Sequence, residues 1–351
     1  MTFIRKPQVI HPLSPKNELG LTIRDYEGGM STLCAGCGHD SVTGAIVQAV
    51  FELSLPPHTV AKMSGIGCSS KTPAYFLSQS HGFNTVHGRM PSVATGANAA
   101  NADLTYIGVS GDGDSLSIGL GQFCHAIRRN LNMLYVLENN GVYGLTNGQF
   151  SASADIGSTA KKGEANMQSP IDPCRTAISM GAAFVARSFS GDKEQLVPLL
   201  KAGLSHKGFA VIDVISPCVT FNDHEGSTKS YEYTRQHFHP AIATDYVHPS
   251  EEIVAKYDAG EALSVSLHDG SQIVLRKVNR DYDPTDRAFV YSFLEKHQMA
   301  GEIITGLLYY DDSQHEMHDL SKIVDQPLSS LDYADLCPGQ SVLQELQNNF
   351  R

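Results

Sequence analysis

Short apolar runs alternate along the middle of the chain with longer stretches whose apolar side chains recur every three to four positions. The runs at 59–63, 106–110, 133–138, 183–188 and 209–215 predict buried strands, each closed by glycine or polar residues. The stretches at 41–53, 94–102, 118–130, 175–182 and 193–205 predict helices. In 118–130, Ile118, Phe123, Ala126 and Ile127 fall on one face, and 94–102 is built of small residues suited to tight packing. Strand–helix alternation of this kind predicts an α/β fold, a parallel sheet with helices on both faces, with 106–138 as a β-α-β unit. Residues 1–30 read as an N-terminal arm and 31–222 as the principal domain. From 223 the pattern changes. His268-Asp269-Gly270 between 264–267 and 272–275 predicts a tight hairpin, and 288–308 a helix. Residues 223–351 are expected to form an extension that wraps the core or a partner subunit.

Composition narrows the classes. The 351 residues are 41% hydrophobic and 18% charged, enough for a packed core. A net charge of −11 without a basic stripe argues against a nucleic-acid face. The first 20 residues are broken by prolines and charges, with no apolar signal core, and no stretch approaches the roughly 18–20 apolar residues that span a bilayer. The expectation is a soluble cytoplasmic protein. Seven cysteines, an odd number without a secretory signal, turn attention from disulfides to metal or redox chemistry. Glycines concentrate between 65 and 148, where backbone would pack close to a ligand.

The densest chemistry lies in Gly111-Asp112-Gly113-Asp114, followed 28 residues after Asp112 by Asn140. Each sits at the end of a predicted strand, and successive parallel strand ends lie side by side. Asp112 and the Asn140 side-chain oxygen would then converge on one cation, with the Val142 carbonyl as a further oxygen ligand. Magnesium accepts that donor set and bridges it to a diphosphate. The glycines let backbone amides approach the phosphates. A turn aspartate and a left-handed asparagine at loop tips is the plainer alternative.

Cys34 and Cys37 form a CxxC; Cys68 follows Gly65-Ile66-Gly67, and Cys218 follows the strand 209–215. All sit at predicted element ends and could gather at the same sheet edge, where four thiolates hold either zinc or an iron–sulfur cluster. Cys124 reads as packed core, and Cys174 and Cys337 have no partner pattern. Lys71 could meet a substrate carboxylate or a phosphate, or be a solvated lysine. His87 could bond a phosphate, or be a packed histidine. Arg89 reads as a structural or subunit contact. Asp311-Asp312 and the histidine-rich stretch 237–248, including His237 and His239, read as surface.

The Asp112–Asn140 spacing resembles the diphosphate motif of thiamine diphosphate enzymes, whose other domain activates the aminopyrimidine; no second such domain is evident here. Taken together, Cys34-Ala-Gly-Cys37-Gly-His39, Gly65-Ile-Gly-Cys68-Ser-Ser-Lys71, His87-Gly88-Arg89, Ala94-Thr95-Gly96, Gly111-Asp-Gly-Asp114 and Asn140-Gly-Val142-Tyr-Gly144-Leu145-Thr146 resemble the β subunit of 2-oxoacid:ferredoxin oxidoreductases. The resemblance covers roughly residues 30–220 and is nearest to the 2-oxoglutarate (korB-type) members. It implies thiamine diphosphate, Mg2+ and one [4Fe–4S] cluster. Cys34, Cys37, Cys68 and Cys218 would ligate the cluster, and Asp112, Asn140 and the Val142 carbonyl the magnesium. Ile66, Gly67, Cys68, Ser69, His87, Gly113, Asp114, Gly144, Leu145 and Thr146 would line the cofactor. The implied activity is coenzyme A-dependent oxidative decarboxylation of 2-oxoglutarate to succinyl-CoA and CO2, or the reverse. The implied partners are an α (or fused α/γ) subunit and ferredoxin, in a dimer of heterodimers. A pyruvate or branched-chain 2-oxoacid enzyme, a non-redox thiamine enzyme half with structural zinc, and a non-catalytic scaffold are the alternatives. Asn147 stands where the family often has lysine, and Phe150-Ser151-Ala152-Ser153 where it often has Tyr-Ser-Pro-Thr, so no substrate-gating or coenzyme A role carries over to that loop.

Overall fold

The computed structural model describes residues 10–158, 165–221, 252–267, 272–337 and 339–350. Its frame is a nine-stranded sheet. The strands are β1 (Val60–Ser64), β2 (His81–Asn84), β3 (Thr105–Gly111), β4 (Met133–Asn139), β7 (Phe184–Phe189), β8 (Phe209–Ile215), β9 (Ala262–Ser266), β10 (Gln272–Lys277) and β11 (Glu302–Tyr310). Two short strands, β5 (Val142–Tyr143) and β6 (Gln149–Phe150), form a separate antiparallel ribbon. The sheet order is β2-β1-β3-β4-β8-β7-β11-β10-β9. The first six strands are mutually parallel; β11 runs antiparallel to β7, and β9 antiparallel to β10.

Alternation along each strand sends side chains to two cores. Met133, Tyr135 and Leu137 of β4 face one, Leu134 and Val136 the other. The first core is closed by α2 (Met90–Ala100), α3 (Leu120–Arg128), α4 (Pro173–Met180) and α6 (Arg287–Met299). The second is closed by α1 (Gly38–Glu52) and α5 (Lys193–Ser205). Helix ends follow local chemistry. Asp172 caps α4 by accepting the Arg175 amide at 3.0 Å, Pro173 opens it, and Gly181 at φ 91° closes it. This is the expected parallel sheet with helices on both faces.

Two expectations need correcting. The segment 288–308 is not one helix: α6 ends at Met299, Gly301 turns at φ 75°, and β11 follows. The apolar run 303–310 has the length and the β-branched content of a buried strand, and it pairs with β7. A strand at 81–84 had no signal, because its four residues are all exposed at the sheet edge. The two strands of the expected hairpin are β9 and β10; its turn at 268–270 lies outside the described residues, as does the stretch 237–248 with His237 and His239. The described part of 223–351 adds β9, β10 and β11 to the sheet. Among the described residues, no helix is long and apolar enough to cross a membrane.

Strand β1 is buried throughout, including Lys62, whose Nζ donates to the carbonyls of Phe76 (2.6 Å) and Leu77 (2.9 Å). Burial pushes its ammonium down to about 8. A lysine depressed in the folded state makes the unfolded chain bind more protons above that value, so stability rises with pH from 8 towards 10.5. Relative to Lys62→Met, the native chain should gain up to about 3 kcal/mol of unfolding free energy across that window. Denaturant titrations of both proteins at pH 7.5 and 10.5 measure this; a constant difference would refute it.

Candidate functional site

The chain leaves β1 towards β2 on one side and leaves β3 towards β4 on the other. Loops at such a reversal open a crevice at the carboxyl ends of the strands. Residues 65–68 and 111–114 flank that crevice, and Asp114 fastens it. Its Oδ1 accepts from the amides of Ile66 (3.2 Å) and Gly88 (2.7 Å) and pairs with His87 Nδ1, while Oδ2 accepts from Ser110 Oγ (2.6 Å). One buried carboxylate thus ties the loops after β1, β2 and β3. It is committed to the scaffold, which leaves Asp114 its backbone to offer a ligand. His87 is held by this bond and lies edge-on to the Tyr143 ring.

The glycines fit close packing. A Cβ at Gly113 would lie 2.5 Å from the Tyr143 ring, and one at Gly111 2.8 Å from Ser69 Oγ. Tyr143 returns a hydrogen bond to the Gly113 carbonyl at 3.0 Å. Gly144 is half-buried, while Leu145 and Thr146 are exposed on the turn between β5 and β6.

Asp112 and Asn140 do stand at the ends of paired strands, β3 and β4. Asp112 is buried; its Oδ1 faces the Asn140 amide at 3.5 Å, longer than a strong hydrogen bond. Its Oδ2 accepts from the hydroxyls of Ser151 and, at 2.6 Å, Ser153. Burial pushes this carboxyl above the usual carboxylate range, and the two hydroxyls oppose the shift. Val142 opens β5 beside Asn140, and its amide donates to Asn140 Oδ1 at 3.1 Å. The set is carboxylate, carboxamide and nearby backbone carbonyl, all oxygen donors, which suits a hard cation.

The cysteines approach this edge in pairs. Cys37 and Cys218 lie within electrostatic reach of each other, as do Cys34 and Cys68; Cys37 and Cys68 both feel Glu138. Thr220 Oγ1 donates to Cys34 Sγ at 2.7 Å. Burial pushes the Cys37 and Cys68 thiols up, and metal loading would have to displace those protons. Among the described residues, no three or more His, Cys, Asp or Glu side chains stand close enough together to hold a metal ion. The donor chemistry suits a thiophilic group, and a four-iron cluster takes each thiolate on a separate iron, so its ligands need not crowd as they would around one ion. Lys71 lies half-buried in the 3₁₀ turn Ser69–Ala74, its charge acting on Cys68.

Sequence reasoning missed the polar layer beneath. Glu138, fully buried at the end of β4, accepts from Thr72 Oγ1 at 3.0 Å on both oxygens. His39 Nδ1 is 3.6 Å from Glu138 and 2.6 Å from Ser216 Oγ. Burial pushes His39 down to about 4 and Glu138 well up. At neutral pH this contact, which by distance alone counts as an ion pair, therefore involves an uncharged imidazole. A second buried group joins Arg187 to Asp213 and Asp172, each at 2.7 Å. With Asn139, Asn140 and Ser153 these three residues border a cavity of about 720 Å³. A lone acid closing the apolar run 133–138 was the one sequence signal for this layer.

Comparison with known proteins gives the same picture. Residues 65–214 match the thiamine pyrophosphate enzyme family, C-terminal TPP-binding domain. The chain is 44% identical over 191 residues to the 2-oxoacid:ferredoxin oxidoreductase subunit beta of Saccharolobus solfataricus, covering 54% of this chain and 63% of that relative's length. It is 38% identical over 189 residues to the 2-oxoglutarate synthase subunit KorB of Methanocaldococcus jannaschii, covering 54% of this chain and 69% of that one. Among solved structures, the 2-oxoglutarate:ferredoxin oxidoreductase from Magnetococcus marinus with 2-oxoglutarate, coenzyme A and succinyl-CoA bound matches at a TM-score of 0.68 and 30% identity, covering 86% of this chain and 89% of that one. Shared fold and these identities together mean that the chain belongs to the β-subunit family of the 2-oxoacid:ferredoxin oxidoreductases.

Proposed function

We infer that this chain is the thiamine diphosphate-binding half of a coenzyme A-dependent 2-oxoacid:ferredoxin oxidoreductase acting on 2-oxoglutarate, in either direction, in the cytoplasm. The observation that carries the reading is the placement of Asp112 and Asn140 at adjacent strand ends, in a crevice bordered by two pairs of cysteines. Asp112, Asn140 and the Val142 carbonyl would hold Mg2+. Residues 66–69, His87, Gly113, Asp114 and 144–146 would line the cofactor, and Cys34, Cys37, Cys68 and Cys218 would hold a [4Fe–4S] cluster. When bound, thiamine diphosphate supplies the electron sink for decarboxylation and the cluster a one-electron outlet to ferredoxin. The chain's own residues position and exclude water: the Asp114 clamp fixes three loops, and the buried Glu138–His39 layer closes the floor. Lys71 offers a cation that suits the second carboxylate of 2-oxoglutarate, and two of the proteins compared above are named for that substrate.

The relative from Saccharolobus solfataricus is named a beta subunit, and the described residues carry one diphosphate domain, so the aminopyrimidine half would come from an α (or fused α/γ) subunit, in a dimer of heterodimers. Co-expression with that subunit without oxygen should give a brown, iron-containing complex. It should reduce viologen with 2-oxoglutarate and coenzyme A faster than with pyruvate or branched-chain 2-oxoacids, while the isolated chain stays inactive. A colourless complex with zinc on the cysteines would favour the non-redox reading, and robust turnover by the isolated chain would overturn the heteromer.

A further inference from the structure

We propose that Ser151 and Ser153 are positioning residues for the cation: their hydroxyls hold Oδ2 of Asp112 so that Oδ1 alone is presented towards Asn140. The inference rests on Asp112 being a magnesium ligand.

The geometry is asymmetric. Both serine hydroxyls reach the same oxygen, Oδ2, whereas Oδ1 has the Asn140 amide at 3.5 Å. Magnesium demands near-octahedral geometry and takes carboxylates by single oxygens, so a carboxylate with one oxygen already bonded by protein suits it better than one free to turn. Groups that hydrogen-bond a ligating carboxylate set its orientation.

The serines are themselves fixed, on three sides. The Ser151 amide donates to the Gly141 carbonyl at 3.1 Å, and the β5–β6 pairing of Val142 with Phe150 runs directly into it. The segment bearing Asn140 and Val142 and the segment bearing the serines are thus one ribbon folded over Asp112. Ser153 Oγ lies 3.1 Å from Ser151 Oγ and 2.8 Å from Asn139 Oδ1. The Asn139 amide is turned that way by its bond to Asp213 at 3.1 Å, and Asp213 is locked by Arg187. Ser153 has one proton for three acceptors within reach, and the nearest is Asp112, at 2.6 Å against 2.8 Å for Asn139 and 3.1 Å for Ser151. The loop's role is therefore metal geometry, at the one place where its sequence left no role assigned.

The test is calorimetric titration of thiamine diphosphate into the co-purified heteromer at graded free Mg2+. In S151A/S153A the Mg2+ giving half-maximal cofactor binding should rise about 10–100-fold, as for loss of groups that orient a metal ligand. At saturating Mg2+ the cofactor affinity should return to the wild-type value. S153T, which keeps the hydroxyl, should retain the wild-type Mg2+ requirement. If the double variant does not fold, S153A carries the same comparison, because Ser153 is only half-buried. Wild-type Mg2+ dependence in the alanine variants would overturn the proposal. Cofactor binding by the wild type that ignores Mg2+ would instead remove the magnesium reading itself, and the proposal with it.

Discussion

Replacing Asp112 by asparagine should weaken Mg2+-dependent thiamine diphosphate binding by about 100-fold or more, the largest effect of any single side-chain change in the crevice. The substitution keeps size and shape, so the loss isolates the charge. Asparagine presents a neutral oxygen where a dication expects an anion, and its NH2 group meets the Ser151 and Ser153 hydroxyls that now donate to Oδ2. Calorimetry on the heteromer with and without chelator measures it. A variant that binds the cofactor as tightly as the wild type would move the cation away from the ends of β3 and β4.

Gly65→Ala should be the most destructive glycine substitution in the crevice. The added Cβ would fall inside the Asp114 carboxylate, whose four partners belong to two loops and to β3. Neither side has room: the strand behind is buried, and the carboxylate cannot turn without leaving donors unpaired. Losing several bonds to a buried charged group costs on the order of 3–5 kcal/mol. Gly96→Ala is the internal comparison. Nothing lies within 4 Å of its Cβ position, on α2, so that change should raise stability by about 0.5–1 kcal/mol through helix propensity. Melting temperatures of the two variants should move in opposite directions, and an unchanged Gly65→Ala protein would remove Asp114 as the clasp of the crevice.

The contrast between what could and could not be read in advance follows from range. Strands such as 133–138 and helices such as 193–205 were legible because periodicity and closing glycines are local properties, and the structure places them at Met133–Asn139 and Lys193–Ser205. Asp112 and Asn140 were legible for a related reason: a position at a strand end survives in the sequence, and parallel pairing does the rest. Gly301 was the missed break, since a glycine inside a long apolar stretch marks either a helix end or nothing. The Asp112–Ser151–Ser153 contacts, the Glu138–His39 layer and the Arg187 ion group depend on which segments fold back on each other, and no spacing announces them. The cysteines fall between: Cys37 and Cys68 sit directly before helical segments, Cys34 lies in the loop ahead of α1, and which thiols stand near which could not be read from spacing.

Strand β8 lies between β4 and β7, and Cys218 rides on the loop that leaves it. The fourth thiol of the proposed cluster therefore arrives only when a central strand, distant in sequence, has been inserted. Cys68 leaves the ribosome 150 residues ahead of Cys218. At roughly 5–20 residues per second, that is a wait of about 8–30 s. During that interval Cys34, Cys37 and Cys68 are present without Cys218. If the four thiols hold the proposed cluster, it could be completed only after β8 has been made and the loop carrying Cys218 has followed it.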